Sequence, residues 1–110
     1  MKRFPSLKSS KEFAVVYNNA DSFANRNLVM YKSKNSLDKN RIGISVSKKV
    51  GNSVIRHRLT RLIREIFRLN SPYFEGYDIV VVIRVAAANR SYKELENSYI
   101  KLSKLHKDKI

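Results

Sequence analysis

The residues of this chain that could do chemistry fall into two unequal sets. The first is nine carboxylates: Glu12, Asp21, Asp38, Glu65, Glu75, Asp78, Glu94, Glu96 and Asp108. Hydrolysis by general acid–base or metal-assisted routes needs several such groups converging, or a carboxylate beside histidine at ligand spacing. Here most stand alone, in loops or opposite Lys, and Glu94 and Glu96 are two apart, so a helix turns them away from each other. His57 and His106 lie far apart, and there is no cysteine, which removes thiol nucleophiles, disulfide frameworks and Cys-based zinc sites together. No catalytic residue and no metal-ligand set is therefore expected on this chain.

The second set is cationic. Between Arg41 and Arg68 stand eight Lys or Arg (Arg41, Lys48, Lys49, Arg56, Arg58, Arg61, Arg64 and Arg68) against one acid, Glu65. Placed on a helix at 100° per residue, Ile55, Leu59, Leu62, Ile63 and Ile66 form an apolar stripe. His57, Arg61, Arg64 and Arg68 then share the opposite face, with Arg56 and Arg58 at its borders. Glu65 can neutralise one or two of these cations and no more. Arginine forks match phosphate oxygens, and the near absence of Asn, Gln or Ser beside them points to backbone contact rather than base reading. Lys48, Lys49 and Asn52 lead into the helix N-terminus, where free amides add a second anion-binding element.

The whole composition agrees. Lys and Arg number 23 against 9 acids, a formal charge of +14 that repels itself unless a polyanion is met. With 43% hydrophobic residues in 110, the chain can bury one core and is read as one domain, residues 1–110. No secretory pattern is visible in Met1 to Ser10. The longest apolar run, Ile79 to Ile83, is far too short to span a bilayer, so a soluble cytoplasmic protein is expected.

Local signals place the elements that must carry these residues. Ser9 and Glu12 have capping-box spacing ahead of Phe13, Val16, Tyr17 and Ala20, predicting a first helix of about ten residues that ends in the turn formers Asn18 to Ser22. Leu28 to Tyr31 reads as a buried strand and Lys32 to Asn40 as an exposed loop. Arg41 to Ser47 alternates, with Ile42, Ile44 and Val46 on one face and Gly43, Ser45 and Ser47 on the other. That small polar face is either an ordinary solvated face or the floor of an open site. Asn52 or Ser53 caps the long helix, which runs to about Leu69 and is stopped by Asn70-Ser71-Pro72. The aromatic-rich loop Tyr73 to Tyr77, the strand Ile79 to Ile83, and a last helix behind a second capping box at Ser91 and Glu94 complete the chain. Its final residues, His106 to Ile110, are expected to fray. The fold class is α+β: a single sheet of about four strands packed with three helices, with the helices on one face of the sheet.

The stretch from Arg41 to Glu65, with its Lys48-Lys49-Val50-Gly51-Asn52-Ser53 turn and its Arg56-His57-Arg58-Leu59-Thr60-Arg61-Leu62-Ile63-Arg64 helix, closely resembles the signature of the protein component of bacterial ribonuclease P. The helix with Phe13 and Tyr17, the Ala24-Asn25-Arg26 turn and the strand Ile79 to Ile83 support the match. Two departures stand out: His57 sits where the family usually has Asn between two arginines, and Thr60 where it often has Lys.

The resemblance implies a protein subunit that binds a large catalytic RNA and the 5′ leader of precursor tRNA, assisting hydrolytic removal of the leader with Mg2+ held mainly by the RNA. It implies RNA-subunit contacts at Lys48, Lys49, Asn52, Arg56, His57, Arg58, Arg61, Arg64 and Arg68, and a leader cleft at Phe13, Tyr17, Tyr31, Ser45 and Ser47. It also implies a left-handed strand–helix–strand crossover, against the usual right-handed rule. A ribosomal or other structural RNA-binding protein is the alternative that charge alone leaves open.

Overall fold

In the computed structural model, which describes residues 6–7, 9–70 and 75–108, eight elements follow one another. They are α1 (Ser10–Asn19), β1 (Asp21–Ala24), β2 (Leu28–Lys34), β3 (Arg41–Val46), α2 (Ser53–Leu69), β4 (Tyr77–Ile83), a short 3-10 turn (Val85–Ala87) and α3 (Tyr92–Asp108). The four strands form one sheet in the order β1-β2-β4-β3, with β3 and β4 parallel and the other pairs antiparallel. A parallel pair needs a crossover, and α2 supplies it. The α+β class and the strand–helix–strand unit are as expected. Among the described residues, no helix is long and apolar enough to cross a membrane.

The layering differs from expectation. Helices cover both faces of the sheet, not one. Ile42, Ile79, Val81, Ile83, Leu28 and Met30 meet Leu59, Ile63, Ile66 and Phe67 of α2 and Leu95, Tyr99 and Leu102 of α3 in the main core. On the other face Val80 packs with Val16 of α1 and Leu7, joined by Phe13, Tyr31 and Val82. A strand that is apolar on every residue is buried on both sides, and Ile79 to Ile83 is such a strand.

Local chemistry accounts for the element ends. At α1 the Ser9 hydroxyl accepts from the Glu12 amide while the Glu12 carboxylate accepts from the Ser9 amide, a complete capping box. Ser91 and Glu94 make the same reciprocal pair at α3. The Asn52 side chain accepts from the Ile55 amide and caps α2. Asn70 ends that helix; Ser71, Pro72 and most of the aromatic loop lie outside the described residues.

Three further expectations are corrected. Asp21, Ser22 and Ala24, read as turn residues, form with Phe23 the edge strand β1, paired with β2 from Asp21 and Lys32 to Ala24 and Val29. Lys32 and Ser33, read as exposed loop, are buried in β2; the Lys32 ammonium donates to the His106 carbonyl at 3.1 Å and lies 4.7 Å from the Tyr77 ring centre. His106 does not fray. It is fully buried, its Nε2 is 2.8 Å from the Met30 carbonyl, which can only accept, and its ring meets Phe23 edge-on at 4.8 Å.

Candidate nucleic-acid interface

Helix α2 presents its cations as its period requires. Leu59, Ile63, Ile66 and Phe67 are buried against the sheet, while His57, Arg58, Arg61, Arg64 and Arg68 are exposed. Phe67 belongs to the apolar stripe and was missed because it lies beyond its edge at ideal helical spacing. Arg61, Arg64, His57, Lys48 and Lys49 have no hydrogen-bond or ion-pair partner among the described residues. Their charge is available to a ligand.

The remaining members of the row are engaged, each differently. Arg68 forms a two-pronged pair with Glu65, its Nε donating to Oε2 at 3.1 Å and its Nη2 to Oε1. That hydrogen bond is the main reason the Glu65 pKa lies below its ordinary value. Arg58 reaches across to the Arg90 carbonyl at 3.0 Å. Arg56 is half-buried, and its Nε donates to the Gly51 carbonyl at 3.2 Å, bracing the turn rather than bordering the basic face. The Asn52 carbonyl oxygen is occupied by the helix cap, leaving its amide donors. Arg41 is withdrawn altogether: it donates to Asp78 at 2.7 Å through both Nε and Nη2, and to Glu12 at 2.9 Å.

A second feature lies on the opposite face of the sheet. Between α1 and β3 runs an open cleft of about 440 Å³, lined by Ser9, Ser10, Phe13, Ala14, Tyr17, Ile44 and Ser45. Phe13, Tyr17 and Ser45 line it as expected. Tyr31 stands behind the rim, its ring meeting Tyr17 in a T-shape at 4.9 Å, and Ser47 is exposed beyond the end of β3. The Phe13 and Tyr17 ring centres are 6.3 Å apart, one helical turn along α1. Gly43 is what lets Phe13 sit down on the sheet: a Cβ there would come within 2.8 Å of the Phe13 ring. Phe13 is thus half packed and half presented, while Tyr17 is 39% exposed and offers a ring face. Ser9, Ser10, Ala14 and Ile44 were not foreseen as lining residues, though their positions one turn before or beside the named ones could have suggested them.

Arg61 and Arg64, without a partner among the described residues, thus stand on one face of the sheet and an aromatic cleft on the other. The family model described as Ribonuclease P matches residues 1–107. The chain belongs to the ribonuclease P protein family. It is 55% identical over 103 residues to the ribonuclease P protein component of Lachnoclostridium phytofermentans, covering 93% of this chain and 89% of that one. The ribonuclease P protein of Staphylococcus aureus superimposes with a TM-score of 0.87 at 36% identity, covering 96% of this chain and 97% of that chain. That of Thermotoga maritima gives 0.82 at 28% identity, covering 90% and 96%. Within the ribonuclease P pattern, His57 occupies an exposed position with no side-chain partner among the described residues, so its exchange for the usual Asn removes no contact seen to hold α2.

Proposed function

We propose that this chain is the protein subunit of a ribonuclease P ribonucleoprotein, acting in the cytoplasm on precursor tRNA. Its α2 face binds the catalytic RNA through Arg61 and Arg64, with Lys48, Lys49, His57 and Arg58 beside them and Asn52, Arg56 and Arg68 in supporting positions. Its cleft receives the single-stranded 5′ leader on Phe13, Tyr17, Tyr31 and Ser45, with Ser47 at the exit. Aromatic rings stack on any base, so the cleft holds a leader without reading it.

One observation carries this reading. The arginine row and the aromatic cleft lie on opposite faces of one sheet. Two RNA segments can therefore be held at once.

The described carboxylates do not suit a protein-held Mg2+. No group of three or more His, Cys, Asp or Glu among the described residues could hold a metal ion, and Asp78, Glu12, Glu65, Glu94 and Glu96 are each paired with Arg or Lys. In this reading Mg2+ belongs to the RNA, and no step of the hydrolysis runs through a side chain of this protein.

Reconstitution tests it. Purified chain alone should leave precursor tRNA intact. Added to the ribonuclease P RNA of a close relative at low magnesium, it should raise the rate of leader removal. Cleavage by the chain without RNA, or copurification with ribosomal subunits in place of one RNA of several hundred nucleotides, would contradict the proposal.

A further inference from the structure

Strand β3 carries a glycine that its own backbone does not require. Gly43 lies inside β3 and pairs with Val80 of β4. Among the described residues the glycine with a positive φ is Gly76 and not Gly43, so the backbone at Gly43 would accept alanine. Glycine inside a strand gives up packing and conformational entropy, and it suits places where another group comes close to the backbone.

The group that comes close here is a ring of the cleft. A Cβ on Gly43 would stand 2.8 Å from Cζ and 2.9 Å from Cε1 of Phe13, and 3.0 Å from Cδ1 of Leu7. Ordinary contact begins near 3.4 Å, so the tip of the ring would have to give by about 0.6 Å, the difference between 2.8 and 3.4 Å. The obstructing atoms are the far ends of side chains. Turning the ring therefore relieves the collision, and the sheet need not open.

The neighbours of the ring decide where it can go. Leu7 is buried, and its amide donates to the Ile42 carbonyl at 2.9 Å, which pins it to the edge of β3. Val80 is fully buried with Val16, which seats α1 on the sheet. Both sit in close packing, whereas the cleft toward Ser45 is open. Phe13 is also the first of three linked rings: its centre lies 6.3 Å from that of Tyr17, which meets Tyr31 edge-on at 4.9 Å. A displaced Phe13 would enter the cleft and change its angle to Tyr17.

We propose that Gly43 is a positioning residue for the bound nucleotide strand: its missing Cβ sets the depth of the Phe13 ring and, through it, the width of the cleft. This rests on the leader reading of the cleft, and adds to it a residue with no side chain to touch the leader. Binding groups need to be held within about 0.5 Å of their working geometry, which is the size of the shift one methyl group would impose. A glycine that only relieved crowding in the core would act on stability alone, without regard to which tRNA is bound.

The test is a double-mutant cycle on Gly43→Ala and Phe13→Ala in the holoenzyme reconstituted with catalytic RNA, reading precursor and mature tRNA affinities and the melting temperature of each chain. Gly43→Ala should weaken precursor binding about three- to tenfold, a part of what one stacked base is worth. Mature tRNA binding and affinity for the catalytic RNA should stay unchanged. With Phe13 already cut to alanine there is no ring to displace, so adding Gly43→Ala should cost less than about twofold more. Unchanged precursor affinity, equal loss for the two tRNAs, or the same loss with and without the ring overturns the proposal. Should Gly43→Ala melt too early for binding to be measured, the double variant decides: it should melt close to Phe13→Ala alone, and earlier melting overturns the proposal, since the demand for glycine would then not come from the ring. Phe13→Ala and Tyr17→Ala by themselves separate this inference from the reading beneath it. If they weaken precursor binding and Gly43→Ala does not, the positioning role alone fails. If they leave it unchanged, the leader reading fails and this inference with it.

Discussion

Two groups of cations in this protein meet opposite fates. At the amino end of β4, Arg41 is wedged between Asp78 and Glu12, and Lys32 places its ammonium on the last turn of α3 and over the Tyr77 ring. On the outer face of α2, Arg61 and Arg64 touch no described residue that would neutralise them. The first group is spent on holding the fold and the second is left over. A cation buried against a carboxylate has lost its hydration and depends on its partner. A cation kept in solvent on a rigid helix retains its charge for something outside the molecule. Net charge alone cannot separate these roles, since Arg41 sits in the same basic stretch of sequence as Arg61.

The largest effect should come from breaking the first group. Arg41→Ala leaves the buried Asp78 without its ion-pair partner, keeping only the Asn35 amide that donates to its Oδ1 at 2.9 Å. We expect a loss of about 2–4 kcal/mol in denaturant-measured stability, toward the lower part of the range for a broken buried pair because Arg41 is itself partly exposed. RNA affinity of the folded fraction should be unchanged. Loss of RNA binding without loss of stability would dissolve the distinction between the two groups.

Next in size is the cleft. Tyr17→Ala should weaken precursor tRNA binding by about five- to a hundredfold, the worth of one stacked base at roughly 1–3 kcal/mol, and leave mature tRNA nearly unaffected. Leaders of different sequence should lose alike. Equal loss for both tRNAs with an earlier melting temperature would place Tyr17 in the core.

The smallest effect concerns Arg68, which belongs partly to each group. Glu65→Gln should release it, raising affinity for the catalytic RNA at low salt by roughly twofold, as exposed pairs are worth little. Because the Arg68 hydrogen bond lowers the Glu65 pKa, pairing is present above the ordinary carboxylate range and is lost only as pH falls through the lowered value. An NMR titration of the Glu65 carboxyl should show its midpoint below that of a free glutamate. A midpoint at or above it would mean that Arg68 is not held.

How much of this was legible beforehand follows the range of the interactions. Both capping boxes, the α2 stripe and the alternation of β3 rest on contacts within a few residues, and each was readable from spacing. The free face of α2 was readable for the same reason, since a 3.6-residue period separates Arg61 from Ile63 whatever the rest of the chain does. Lys32 and His106 were misread because their setting is supplied from far away. A lysine looks like loop until the carbonyl of His106, 74 residues on, is found waiting for it. Arg41 was counted with the basic cluster because its partner Asp78 is 37 residues distant. The second helical layer follows from Ile79 to Ile83 being apolar on both sides, a signal present in the sequence but outweighed by the preference for one-sided packing.

The most direct test of the account is the salt dependence of binding to the catalytic RNA, measured for the unaltered chain and for Arg61→Ala with Arg64→Ala. Both side chains point away from the core, so the double variant should melt where the parent does. Its affinity should fall, and the slope of log affinity against log salt should flatten by roughly 0.7 to 0.9 per lost phosphate contact. Unchanged affinity and unchanged slope in a folded double variant would show that the outer face of α2 is a solvated surface and not where this protein holds RNA.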